Sequence, residues 1–255
     1  MGLDLLEKLT DPYERKARIY PILLALSPFA GICIGLYSFQ IDKQWIGVLV
    51  TFGVFYLLAS LSRKRGKNLE EGLFKSWGGK PTTQLLRHRD QTLDPVTKSR
   101  YHSFLSRQIN VSFPSYSDES LDPISADQVY TSAVKWLLEQ TRDTKTHHLI
   151  FKENIEYGFY RNCLGCKPLG VAAAILSTIW ILVFGNVITA RGFILSAITS
   201  IPNSALGALG ITLTILSVWL LLITKTNVRT AAFTYAETLL RACDVLDKKN
   251  KSTKA

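Results

Sequence analysis

The sequence predicts an all-α membrane protein: four transmembrane helices form two hairpins, with a small, mainly helical cytoplasmic domain inserted between them and completed by the C-terminal helix. Three observations predict it. Four uncharged apolar runs occur as two pairs. A polar stretch with a helical period of apolar residues separates the pairs. Lysine and arginine gather at the same end of every run. The divisions that follow are residues 1–18 (cytoplasmic lead-in), 19–61 (first hairpin), 62–168 (cytoplasmic domain), 169–224 (second hairpin) and 225–255 (C-terminal helix and basic tail).

Composition agrees with this division. Of 255 residues 47% are hydrophobic although 20% are charged, so the apolar residues are clustered rather than spread. The net charge of +10 implies a phosphate-bearing partner. Because the cations crowd the ends of apolar runs, anionic lipid headgroups suit it better than nucleic acid. Four cysteines, Cys33, Cys163, Cys166 and Cys243, are too few for a disulfide scaffold and agree with a reducing compartment.

Residues 1–18 read as an amphipathic lead-in (Asp4, Leu5, Leu6, Leu9, Tyr13) ending in Arg15, Lys16 and Arg18. Residues 19–39 carry no charge, and roughly 20 apolar residues at about 1.5 Å rise each cross a bilayer. A signal peptide is disfavoured by that length and by the second apolar run that follows. Pro28 predicts a kink. Residues 45–61 form the shorter second span, with Trp45 as an interfacial anchor, followed by Arg63, Lys64, Arg65 and Lys67. The third and fourth spans are residues 169–189 and 205–224. Between them Phe193, Ile194, Ala197, Ile198 and Ile201 predict a short surface-lying helix. The connections within the two pairs carry only Lys43 and Arg191, so the positive-inside bias keeps both termini and the central stretch in the cytoplasm, at a cell (inner) membrane.

The central stretch reads as ordered. Residues 68–77 are helical by period, through Leu69, Leu73, Phe74 and Trp77, and Gly78-Gly79-Lys80-Pro81 ends them. Asp94-Pro95 opens a helix reaching about residue 110 and burying Val96, Tyr101, Phe104 and Leu105. Residues 113–123 predict an exposed loop. Ser125 and Gln128 have capping-box spacing before a helix that groups Val129, Ala133, Trp136, Leu137 and Gln140. Residues 146–162 predict an aromatic-rich helix. In the tail, Ala232, Phe233, Ala236, Leu239, Leu240 and Cys243 form one stripe, which needs the central helices as a partner.

The densest polar cluster, Lys80, Thr82, Thr83, Arg87, His88, Arg89 and Asp90, is the candidate anion- or ligand-binding site. It is not a P-loop, because Pro81 follows the lysine and the first glycine is missing. The competing reading is a Gly-Pro turn capped by Thr82 or Thr83, with Asp90 paired to an arginine. His88, His102, His147 and His148 show no metal-ligand spacing, and Cys163-Leu164-Gly165-Cys166 lacks the second pair of a zinc site, so no metal or cofactor is predicted. The spans hold no Asp, Glu, Lys, Arg or His, which argues against a pump. They do hold small-residue stripes, Ser27, Gly31 and Gly35 in the first and Gly207, Gly210, Thr214 and Ser217 in the fourth, suited to helix packing or self-association.

No motif names a reaction. The leading expectation is a non-enzymatic membrane effector or scaffold, with a cytoplasmic domain that senses a protein or small-molecule partner and spans that form a homo-oligomer. By architectural analogy alone this is the plan of membrane-disturbing bacterial stress or antiviral defence proteins. A channel or transporter subunit is the first alternative. A membrane-tethered enzyme on a phosphate-containing or lipid substrate, using Arg87, His88, Arg89 and Asp90, is the second.

Overall fold

The structure, a computed structural model, describes residues 11–36, 44–190 and 192–254. Helix accounts for 81% of it, which fixes the class as all-α. A π-helical turn, Glu14–Ile19, leads into α1 (Tyr20–Leu36). Then come α2 (Gln44–Trp77), α3 (Pro81–Leu86), α4 (Pro95–Ile109), α5 (Tyr116–Leu121), α6 (Pro123–Gln140) and α7 (His148–Phe184). A two-residue antiparallel pair, β1 (Ile188–Thr189) and β2 (Gly192–Phe193), and a 3-10 turn, Leu195–Ser200, precede α8 (Asn203–Leu221) and α9 (Lys225–Lys254). Two compact units emerge: residues 1–70 with 158–228, and residues 71–157 with 229–255.

Small residues hold the first unit together. Gly66 of α2 and Gly165 of α7 touch through their backbones, with a Cβ on Gly165 falling 2.6 Å from the Gly66 nitrogen. Asn162, fully buried, donates from Nδ2 to Ala17 O at 2.6 Å, and Arg161 pairs with Glu70 at 3.1 Å. Cys163 and Cys166 are buried in one cluster with Ile22, Ala25, Trp219 and Ile223, so this Cys-x-x-Cys is packing. α7 and α8 run antiparallel. Lys167 Nζ donates to Ile223 O at 2.8 Å at one end, Gly170 faces the Trp219 indole so closely that a Cβ would overlap it, and Ile181 clusters with Ala205 and Ala208 at the other.

Among the described residues, two helices, α7 and α8, are long and apolar enough to cross a membrane. Of their most apolar windows 28% and 22% are buried. The face Ile175, Leu176, Ile179, Trp180 and Val183 on α7 is exposed. The expected lead-in residues Asp4, Leu5, Leu6 and Leu9, the connection with Lys43, and Arg191 lie outside the described residues, as do the side chains of Cys33 and Trp45 and the surroundings of Gly31 and Gly35.

The second unit has its own core. Leu85, Leu86, Tyr101, Phe104, Leu105, Tyr130, Leu137 and, from α9, Ala236, Leu239, Leu240 and Cys243 pack in one cluster. The stripe on α9 meets α4 and α6, and exposed pairs Arg100–Asp244 (2.9 Å) and Arg107–Asp247 (3.2 Å) flank the contact. Burial of this apolar surface, at about 25 cal/mol per Å², outweighs such surface ion pairs, worth about 0–1 kcal/mol each.

Several local expectations need correction. α2 continues unbroken from 44 to 77, because the basic residues after position 61 are good helix formers and no proline interrupts them. α7 likewise passes through Pro168, losing one backbone hydrogen bond rather than ending there. The exposed loop expected at 113–123 contains α5, started by a capping box between Ser115 and Asp118. α6 is capped not by Ser125 but by Asp122, which accepts from Ser125 N at 3.0 Å with Pro123 in the first turn. Val96, next to the N-terminus of α4, is exposed rather than buried. The surface helix expected at 193–201 is instead β2 and the 3-10 turn.

Candidate functional site

The glycines after α2 set the direction of the chain that leads to the site. Gly78 (φ 87°) and Gly79 (φ 132°) take conformations that side chains disfavour. They close a Schellman stop in which Gly79 N donates to Phe74 O at 2.8 Å and Gly78 N to Lys75 O at 3.3 Å. A Cβ on Gly79 would fall 2.7 Å from Arg87 Nη2, so glycine is required twice over. Pro81 then starts α3.

Arg87, at the end of α3, turns inward. Its Nε and Nη2 donate to Asp127 Oδ1 and Oδ2 at 2.8 and 2.5 Å, and Nη1 donates to Gly78 O at 2.7 Å. This bidentate, largely buried pair fixes α3 to α6. The turn that follows, residues 87–90, is held by two buried charges. Glu119, 4% exposed, accepts from His88 N at 2.7 Å and, more weakly, from Arg89 N at 3.4 Å, and also from the Tyr130 hydroxyl at 2.8 Å. Lys98, 5% exposed, donates to Arg87 O at 2.7 Å and to Asp90 O. Burial depresses the Lys98 ammonium, while Asp90 and Glu119 hold it up. The same burial and the bond to Glu119 push the Tyr130 phenol well above its usual range.

Beside this turn lies a cavity of about 210 Å³, lined by His88, Asp90, Lys98, Ser99, His102 and Ser103 among others. The two imidazoles stand edge to face, 4.9 Å between centroids. His88 Nε2 lies 2.9 Å from Pro114 O and His102 Nε2 lies 2.7 Å from Leu86 O. A carbonyl only accepts, so both rings carry their proton on Nε2 and present Nδ1 as a lone pair when neutral. Burial drives the His102 pKa down to about 4, partly opposed by its bond to Leu86. The cavity therefore offers an acceptor from the neutral His102 imidazole, with the His88 ring against it, beside the buried ammonium of Lys98. That arrangement suits binding of a small polar ligand. Asp90 Oδ1 accepts from Thr92 N at 2.9 Å, and the Nε2 side of His88 faces Pro114 O.

The seven residues singled out in the sequence do not converge on one point. Lys80 and Arg89 are exposed. Thr82 is half-buried, and Thr83 is buried with its hydroxyl 3.3 Å from that of Thr131. Arg87 is committed to Asp127. Only His88 and Asp90 reach the cavity. Neither threonine caps α3, whose N-cap is Lys80, and Asp90 bonds Thr92 rather than an arginine. Lys98, Ser99, His102 and Ser103 were missed. Their i, i+1, i+4, i+5 spacing on α4 is the signal that marks them as one face.

A second, mainly apolar groove of about 430 Å³ runs between the start of α7 and α9, lined by His147, His148, Leu149, Arg241 and Val245 among others. Among the described residues no three His, Cys, Asp or Glu side chains group as metal ligands. α8 has a buried face and an exposed one. Ala205, Ala208, Thr212 and Trp219 are buried. Gly207, Gly210, Thr214 and Ser217 are exposed, and nothing lies within 4 Å of a Cβ built on either glycine. The Thr214 and Ser217 hydroxyls donate to Gly210 O and Leu213 O of their own helix, both at 2.9 Å. Ser27 is half-buried and donates to Leu24 O. Comparison with protein-family models, curated proteins and solved structures finds no match to the chain.

Proposed function

We propose that the chain is a multi-pass membrane effector or scaffold. Four spans, residues 19–39, 45–61, 169–189 and 205–224, form two hairpins, both termini face the cytoplasm, and the polar helical unit binds a partner there. The observation that carries this reading is the exposed apolar surface of α7 and α8. Outward side chains such as Leu176, Trp180, Ile211 and Leu221 would each lose burial energy in water, on the order of 1.5–3 kcal/mol per large side chain. Lipid removes that cost. The helix backbone is already satisfied within each helix, as a hydrocarbon environment demands.

Self-association follows from the outward stripe Gly207, Gly210, Thr214 and Ser217. Small residues let two backbones approach closely in lipid, where dispersion and not the hydrophobic effect drives pairing. Its alternating three- and four-residue spacing suits a left-handed crossing. The partner-binding role is assigned to the cavity of His88, Lys98 and His102, whose size and mixed polarity suit a small polar ligand.

The test is the assembly state of the full chain in mild detergent, together with membrane potential on induced expression. Wild type should run as an oligomer and depolarise cells. Gly207→Leu combined with Gly210→Leu, which fills the exposed seam, should be monomeric and harmless. A monomeric wild type that leaves the membrane intact contradicts the proposal.

A further inference from the structure

The seam between α7 and α8 is mainly apolar; its buried polar side-chain groups, among the described residues, include the Trp219 indole N–H at the Gly170 level and the pair Ser177 and Thr212 further along. Gly170 opposes Trp219 and Ile181 lies with Ala208. Each step along α7 is matched by an equal step back along α8. Between these anchors the same register sets Ala174 opposite Ile215 and Ser177 opposite Thr212. Ser177 and Thr212 are both completely buried, and neither hydroxyl, Ser177 Oγ or Thr212 Oγ1, has a hydrogen-bond partner among the described residues.

Other hydroxyls on these helices behave differently. Thr178, Thr214 and Ser217 each donate to the carbonyl four residues earlier on their own helix, at 2.9 Å. That bond is available to any helical serine or threonine. Ser177 and Thr212 forgo it, at the level where the register sets them opposite each other. Two buried hydroxyls without partners are costly in a dry interior. The cost is removed by a guest that both donates and accepts. No carboxylate or other charge lies at this level of either helix, so the guest is neutral.

We propose that Ser177 and Thr212 form an internal hydration site, in which one water molecule bridges α7 and α8. The site is closed on one side by Ala174 and Ile215 and on the other by Ile181 and Ala208. It depends on the α7–α8 register and not on which way the spans face, so it stands or falls separately from the topology of the chain. A bridging water gives the hairpin one polar attachment between two greasy surfaces, which fixes the rotation of each helix about its axis.

Two measurements test it on the full chain in lipid nanodiscs. Water-edited solid-state NMR of the wild type should transfer magnetisation from water to the Thr212 methyl group, as it should not for a dry seam. Thermal melting of Ser177→Ala, Thr212→Val and the double variant should be non-additive. Each single change strands the water on one partner, so the double variant melts closer to wild type than the summed single shifts. Absence of water transfer in the wild type overturns the proposal, and so do strictly additive melting shifts. The NMR arm needs no variant, so it decides the matter even if a substituted protein fails to fold.

Discussion

Gly165 of α7 lies against Gly66 of α2 so closely that a methyl group on Gly165 would stand 2.6 Å from the Gly66 nitrogen and 2.7 Å from the Arg65 carbonyl carbon. Both neighbours are backbone, which cannot rotate aside. The contact brings Asn162 within reach of Ala17 O and Arg161 within reach of Glu70. Close approach at paired glycines is thus what assembles the first unit around α7.

Gly165→Ala should therefore force α2 and α7 apart and destabilise the protein by about 1–3 kcal/mol, the usual cost of overpacking. Gly72→Ala is the control. Gly72 sits within α2 with nothing near its Cβ position, so alanine there should stabilise by roughly 0.5–1 kcal/mol through helix propensity. Thermal melting of the two variants in detergent checks the pair, and the shifts should have opposite sign.

Glu119 and Lys98 hold the 87–90 turn from two sides. Glu119→Ala leaves the His88 and Arg89 amides and the Tyr130 hydroxyl without their acceptor, and removes a countercharge of Lys98. A loss of about 3–5 kcal/mol is expected, as for breaking a buried charge network from one side. Denaturant unfolding followed by tryptophan fluorescence measures it. Arg89→Ala, whose side chain is 53% exposed and only 3.9 Å from Glu119 at its nearest, should change stability by less than about 1 kcal/mol.

His102 makes stability depend on pH in a defined direction. Its folded pKa, about 4, lies below the unfolded value of 6.5. Between these values the unfolded chain takes up a proton that the folded one refuses, so stability falls as pH drops from about 6.5 to about 4. The loss is at most about 3 kcal/mol for this one group. His102→Gln, which retains a donor for Leu86 O, should flatten that part of the profile. Melting temperature against pH for wild type and variant is the measurement.

Much of the second unit is legible in the sequence because its signals are local. Asp94-Pro95 marks the start of α4, and Asp94 does accept from Thr97 N at 2.8 Å. Gly78-Gly79 marks the end of α2 through the positive φ that such a stop needs. The α9 stripe declares a buried face by its period alone. The site is less legible because its partners are distant. Arg87 meets Asp127, 40 residues away, and His88 meets Glu119, 31 residues away. No spacing rule connects such pairs, so a basic run that reads as an open anion grip is largely spent on internal bonds. Pro168 misleads for another reason. Proline usually ends a helix in isolation, yet packing on both sides of it carries α7 through.

The apolar runs are proposed to cross a bilayer and keep the polar unit in the cytoplasm. Fusion of a topology reporter near Asp118, in the full chain, addresses it most directly. An alkaline phosphatase fusion there should be inactive and a green fluorescent protein fusion bright, with the protein resisting extraction by alkaline carbonate. An active phosphatase at Asp118, or release of the protein from membranes by carbonate, would contradict the account.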